Sequence, residues 1–244
     1  MLPLLEERFD VLAVDMPGFG RSAPLPPGID STPEALADAV EDEMGRAGFD
    51  RAHIAGNSLG GWVALELARR GRALTVTGIS PAGLQHAREK QWGAGVLRAL
   101  RWASRNAPAP EPAWRNPVTR TFFLSSVYAC GWRKDPDHAM EESELLANCP
   151  GFEATLPFLL DAQPRGLTTL DTPVLLLWGT LDLVLLPRQG RRFERLIPGA
   201  ELRYMRGIGH TPMSDAPEEL AEAITQFALD HTRARPAAQA VAGS

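Results

Sequence analysis

Arg51-Ala-His-Ile-Ala55-Gly56-Asn57-Ser58-Leu59-Gly60-Gly61-Trp62-Val-Ala-Leu-Glu-Leu-Ala-Arg-Arg70-Gly71 is the stretch from which the rest of the chain is read. Arg51 to Ala55 reads as a short strand and Gly56 to Gly61 as a tight turn. Trp62 to Arg70, rich in Ala and Leu, reads as a helix that stops near Gly71. The turn contains the pattern G-x-S-x-G at residues 56–60. A serine alcohol is a poor nucleophile and must be held where a base can reach it. A sharp strand-to-helix turn does this while straining the backbone at the serine. Gly56 and Gly60 are therefore expected to let neighbouring backbone approach without Cβ clashes. The first amides of the following helix point at the same spot, which places the Leu59 N–H to bind a developing oxyanion. Gly61 adds a small residue where that helix packs closest to the sheet.

Moving outward, Phe9 to Asp15 is a nearly continuous apolar run and reads as a buried strand. A Pro/Gly-rich turn follows from Met16 to Gly28, and then a helix opens at Ser31-Thr-Pro-Glu34 with Ser31 or Thr32 as its cap. Leu36, Val40 and Met44 give that helix one apolar face, and it ends near Gly48. Leu74 to Ser80 reads as a further strand. The order is βαβαβ, which predicts a mostly parallel sheet flanked by helices. From Leu84 to Arg165 the strand pattern stops, and helical pieces alternate with prolines and four of the tryptophans, Trp92, Trp102, Trp114 and Trp132. This reads as a helical cap inserted at 84–165 into a core made of residues 1–83 and 166–231. The sheet resumes with strands at Val174 to Trp178 and Glu201 to Met205, and helices at Arg188 to Leu196 and Pro217 to Leu229. Residues 232–244 have no apolar period and read as a disordered tail.

A base and an acid follow in the chain. His210, in Arg206-Gly-Ile-Gly-His-Thr-Pro212, sits among glycines and a proline just past a strand, as a loop presenting one side chain would. Asp182 lies past the buried Val174–Trp178 strand, where a carboxylate can fix the tautomer of an imidazole and stabilise the imidazolium. Asp171 is at the wrong end of that strand, and Asp215 better suits a helix start. Among the other histidines, His53 on its strand reads as structural, His86 and His138 fall in the cap and His231 near the tail. The candidate catalytic set is therefore Ser58, Asp182 and His210, with the Leu59 N–H as oxyanion donor.

Other chemistries fit poorly. Gly18-Phe-Gly-Arg-Ser-Ala23 matches a dinucleotide fingerprint, but Pro24, Pro26 and Pro27 forbid the helix that would hold pyrophosphate. The formal net charge of -5 argues against nucleic acid or an anionic membrane as partner. Cys130 and Cys149 lack metal or redox spacing and read as reduced thiols, and no metal-ligand cluster is visible. There is no apolar run of the ~20 residues a membrane span needs, and no signal peptide at Met1, so the chain reads as cytoplasmic.

Asp15-Met-Pro-Gly-Phe-Gly-Arg-Ser22, Gly-Asn-Ser58-Leu-Gly-Gly61, Trp178-Gly-Thr-Leu-Asp182 and Gly-His210-Thr-Pro-Met213 resemble successive blocks of the α/β-hydrolase superfamily, in its esterase, haloperoxidase-like and C–C-bond hydrolase branch. The order Ser58, Asp182, His210 is that superfamily's order. The resemblance implies hydrolysis of a carboxylic ester of a fairly apolar small molecule through an acyl-enzyme on Ser58, with no cofactor. Serine at position 58 argues against the dehalogenase and epoxide-hydrolase branches, which use aspartate there. The Gly-Asn-Ser-x-Gly-Gly form also resembles the meta-cleavage-product hydrolases. Those usually carry tryptophan after the histidine, where this chain has Thr211.

One departure stands out. The superfamily has a strand ending in His-Gly whose loop supplies a second oxyanion donor, and no His-Gly dipeptide occurs in this chain. By resemblance that strand belongs between the Phe9–Asp15 and Arg51–Ala55 strands. The expectation is an incomplete N-terminus, and, failing that, a rate lowered ~10²–10³-fold by the lost donor. A third reading is a truncated, non-catalytic fold that binds a small molecule in the cap.

Overall fold

The computed structural model describes residues 1–106 and 108–233. Its centre is Val174-Leu-Leu-Leu-Trp-Gly179, a strand buried at every position. Apolar residues without alternation are what a strand covered on both faces requires. Even positions (Val174, Leu176, Trp178) pack with Trp62, Leu65, Phe193 and Ile197 on one side. Odd positions (Leu175, Leu177) pack with Leu5, Leu220, Ile224 and Phe227 on the other. The period of two is thus hidden in the sequence but present in the packing.

Four strands make the sheet among the described residues: β1 (Ala52–Asn57), β2 (Ala73–Ile79), β3 (Val174–Gly179) and β4 (Glu201–Met205). They pair in chain order, each parallel to the next, with Val76 opposite Val174 and Leu177 opposite Arg203. The core helices are α1 (Leu2–Glu6), α2 (Pro33–Arg46) and α3 (Leu59–Arg69). Between β2 and β3 come α4 (Ala87–Asn106), α5 (Glu111–Arg115), α6 (Pro117–Leu124), α7 (Pro136–Ala147) and α8 (Pro150–Asp161). After β3 come α9 (Gly190–Leu196), α10 (Pro212–Asp215) and α11 (Pro217–Arg233). Thr32 caps α2, its hydroxyl accepting the Ala35 N–H at 3.1 Å, while Ser31 is turned away to Thr155 Oγ1 in α8 at 2.8 Å. The stretch 18–23 is a turn rather than a helix start.

Two expectations need correction. Phe9 to Asp15 forms no strand. Its composition suits one, but a strand exists only through a hydrogen-bonded neighbour, and no described strand lies beside it. Val11 packs toward the layer of α1 and α11, while Leu12 is 39% exposed. The last helix continues to Arg233 rather than ending at Leu229, with Phe227 and Ala228 still buried. Residues 234–244 of the expected tail lie outside the described residues. Among the described residues no helix is long and apolar enough to cross a membrane.

The helical segment between β2 and β3 is tied to α9 and the turn before it by a buried charge. Glu89, in the first turn of α4 and 4% exposed, accepts from Arg188 Nε at 2.6 Å, Arg192 Nη2 at 2.9 Å and the His86 amide at 2.9 Å. Burial alone would raise its carboxyl, but the bonds from Arg192, His86 and Arg188 outweigh that and hold it at about 2. An unfolded glutamate titrates near ~4.3. Because the folded value is the lower one, this contribution to stability is complete above the unfolded value and is lost as pH falls toward the folded one. Glu89→Gln is therefore expected to unfold at lower denaturant than the parent at neutral pH. The gap should close as pH drops from about 5 to about 2. Urea melts across that range check this, and a gap independent of pH would contradict it.

Candidate active site

The turn after β1 is a strained elbow. Ser58 has φ 55° and ψ −113°, a conformation a side chain seldom adopts. It is held there because its N–H donates to Ile79 O at 2.9 Å while its own carbonyl accepts from Ala82 at 3.0 Å and Trp62 at 3.2 Å. Ser58 stands at the N-cap of α3, yet its hydroxyl makes no capping bond. The Leu59 N–H opens α3, at a position where helical amides have no intrahelical acceptor. The glycine reasoning holds for one of the two pattern positions. A Cβ on Gly56 would overlap the Gly60 carbonyl, but a Cβ on Gly60 meets nothing within 4 Å. The second tight position is Gly61, whose Cβ would lie 2.8 Å from Pro81 Cβ, at the close packing expected there.

Asp182 is 1% exposed. One carboxylate oxygen accepts the amides of Val184 at 2.9 Å and Leu185 at 2.8 Å. The other lies 2.8 Å from Nδ1 of the buried His210. A carboxylate accepts, so Nδ1 donates, and in the neutral ring Nε2 is left as an acceptor. The loop carrying Asp182 is itself fixed, because Trp178 Nε1 donates to Leu185 O at 2.8 Å and Trp92 Nε1, from α4, donates to Leu183 O at 2.8 Å. The Leu181 N–H donates to Ile208 O at 2.9 Å, joining this loop to the one that carries His210.

The structure thus brings Asp182 and His210 into direct contact. It ties His210 to the elbow through Asn57, whose Nδ2 donates to His210 O at 3.0 Å and to Ile79 O at 3.1 Å. No hydrogen bond joins the Ser58 hydroxyl to the imidazole. Asn57 was only a variable position in G-x-S-x-G, and nothing in the sequence marks it as a bridge. Asp215, expected to start a helix, ends α10 instead, and its buried carboxylate accepts the backbone amides of nearby Gly209 and distant Ala129. His53 is structural as expected: Nδ1 pairs with Thr75 Oγ1 at 2.8 Å and Nε2 with Thr232 Oγ1 at 3.1 Å. Burial, and the nearby His231, lower its pKa. Cys130 and Cys149 are free thiols, and among the described residues no group of His, Cys, Asp or Glu could hold a metal ion.

The sequence model of the alpha/beta hydrolase family matches residues 1–223. The chain is 34% identical over 208 residues to the epoxide hydrolase EphH of Mycobacterium tuberculosis, covering 79% of this chain and 92% of that protein. It is 33% identical over 240 residues to the pimeloyl-[acyl-carrier protein] methyl ester esterase of Neisseria meningitidis, covering 93% of this chain and 86% of that one. A solved thermophilic esterase from Thermogutta terrifontis shares the fold with a TM-score of 0.66 at 22% identity, over 88% of this chain and 78% of its own.

The elbow's packing distinguishes its two pattern glycines. Gly56→Ala must push the Gly60 carbonyl away and is expected to cost about 1–3 kcal/mol. Gly60→Ala enters open space and should stay within about 0.5 kcal/mol of the parent. Equilibrium denaturation of both variants checks this, and equal losses would contradict the difference in packing.

Proposed function

The chain belongs to the alpha/beta hydrolase family, and we propose that within it the protein is a serine hydrolase that cleaves a carboxylic ester of a fairly apolar small molecule. The observation that carries this reading is the His210–Asp182 pair at 2.8 Å, bridged by Asn57 to an elbow whose serine hydroxyl is not spent on capping. In the proposed reaction Ser58 Oγ attacks the ester carbonyl carbon and its proton passes to His210 Nε2. Asp182 holds the ring and stabilises the imidazolium. The Leu59 N–H faces the oxyanion. As the tetrahedral centre collapses, the bond to the alcohol oxygen breaks and the alcohol leaves with the proton from Nε2. Water then attacks the acyl-Ser58 ester, giving its proton to Nε2. Collapse of this second tetrahedral centre breaks the acyl carbon–Oγ bond, Nε2 returns its proton to Oγ, and the carboxylic acid leaves.

Residue 58 also chooses among electrophiles. A carboxylate that opens an epoxide forms an ester, which water can cleave. A serine oxygen would form an ether, which it cannot. The name of the mycobacterial relative therefore does not transfer to a chain with Ser58 at the elbow. The apolar character of the substrate is supported by the helical segment, which we read as a cap at 84–165. It holds a half-open cavity of about 280 Å³ lined by Leu97, Leu100, Trp114, Phe123 and Leu124 together with the polar Tyr128 and Glu142; none of Ser58, Asp182 and His210 lines it, and Val127, whose carbonyl accepts the His210 amide, is its link to the candidate site.

Treatment with a fluorophosphonate followed by intact-mass measurement should give one adduct, absent in Ser58→Ala and nearly absent in His210→Ala. p-Nitrophenyl esters should turn over while styrene oxide does not. An adduct that survives Ser58→Ala, or turnover of the epoxide alone, would defeat the proposal.

A further inference from the structure

We propose that Asp215 is a positioning residue for His210, acting on its backbone rather than on the imidazole. The inference rests on the proposed role of His210 as base. Asp215 closes the single turn of α10 that follows the His210 loop, and it is 2% exposed. Its Oδ2 accepts the Gly209 amide at 2.8 Å and the Ala129 amide at 2.9 Å, and its Oδ1 accepts the Cys130 amide at 2.9 Å. Gly209 immediately precedes the imidazole. Ala129 and Cys130 belong to the helical segment, a few residues past the end of α6. The same two stretches meet in the opposite sense, with the His210 amide donating to Val127 O at 2.8 Å and the Thr211 hydroxyl donating to it at 3.3 Å.

Residues 209–211 are thus fixed to 127–130 from both sides, and the carboxylate accepts from both stretches. Bonds from amides to an ionised carboxylate are shorter and stronger than those between neutral groups. The junction also leaves no room for a side chain, since a Cβ on Gly209 would lie 2.7 Å from Val127 O and 2.8 Å from Ala129 N. Asp215 does not compete with Asp182 for the ring, because each of its hydrogen bonds goes to an amide. What it controls is where the Cα of His210 sits, and the ring is fixed at its other end by a single bond to Asp182.

Asp215→Asn keeps the size of the side chain but turns an amide NH₂ toward at least one N–H donor. Displacement of a base by an ångström costs on the order of 10²-fold in rate, so kcat for a p-nitrophenyl ester should fall by about that factor. KM should change by less than about 3-fold, because the substrate's own contacts are untouched. The discriminating measurement is the double variant. In a His210→Ala background Asp215→Asn should alter the residual rate by less than about 2-fold, since there is no base left to position. An equal fall in both backgrounds, or an effect on KM alone, would overturn the inference and leave the base reading intact. A His210→Ala protein with parental activity would overturn both. If circular dichroism shows Asp215→Asn unfolded, Gly209→Ala wedges the same junction from the facing side. It must then show the same loss of kcat and the same absence of effect without His210.

Discussion

In a parallel sheet every strand ends on the same edge, and here that edge collects the turn after β1, the loop after β3 and the loop after β4. Ser58, Asp182 and His210 are far apart in the chain, yet the pairing of β1 through β4 delivers all three to one side. No local sequence feature could do that alone. Residues of β3 pack into the cores on both faces of the sheet, so the loop that carries Asp182 starts from a strand buried along its whole length. The apolar run from Val174 to Trp178 therefore provides the core and also the platform for the acid.

Burying a carboxylate costs several kcal/mol unless its oxygens are satisfied. At Asp182 two amides from its own loop take one oxygen, so the imidazole faces a group already fixed in direction. That division of labour separates folding from chemistry. The amides offset part of the burial whether or not the ring is present, and the bond to His210 is then free to orient the ring. Glu89 follows the same logic in a structural setting, where two arginines and an amide take the charge and the helical segment is anchored beside the loop of Asp182.

Much of this was legible from residue order. The strand, turn and helix around Ser58, the fully apolar β3, and β4 with its Gly-flanked histidine each declare themselves within a window of about ten residues. The sheet class followed from their alternation. What escaped was what depends on distant partners. Phe9 to Asp15 has the composition of a strand, but a ladder is a property of two segments, and no described strand pairs with this one. Gly60 looked structural because it matches a pattern, whereas the crowded position is its neighbour Gly61 against Pro81. Asn57 and Asp215 were invisible for the same reason: their partners lie at His210 in one case and at Ala129 and Cys130 in the other. No periodicity links such positions.

Neighbouring strands β2 and β3 are joined by residues 80–173, the longest connection in the sheet. Loop-closure entropy grows only with the logarithm of length, by about 0.6 kcal/mol for each doubling. The pairing of Val76 with Val174 is therefore nearly indifferent to how many residues lie between them. Folding speed is less forgiving, because distant contacts must wait for that closure. A lineage could lengthen, shorten or replace the helices between these two strands at little thermodynamic cost to the sheet. It would answer for the change mainly in the time the chain spends incomplete.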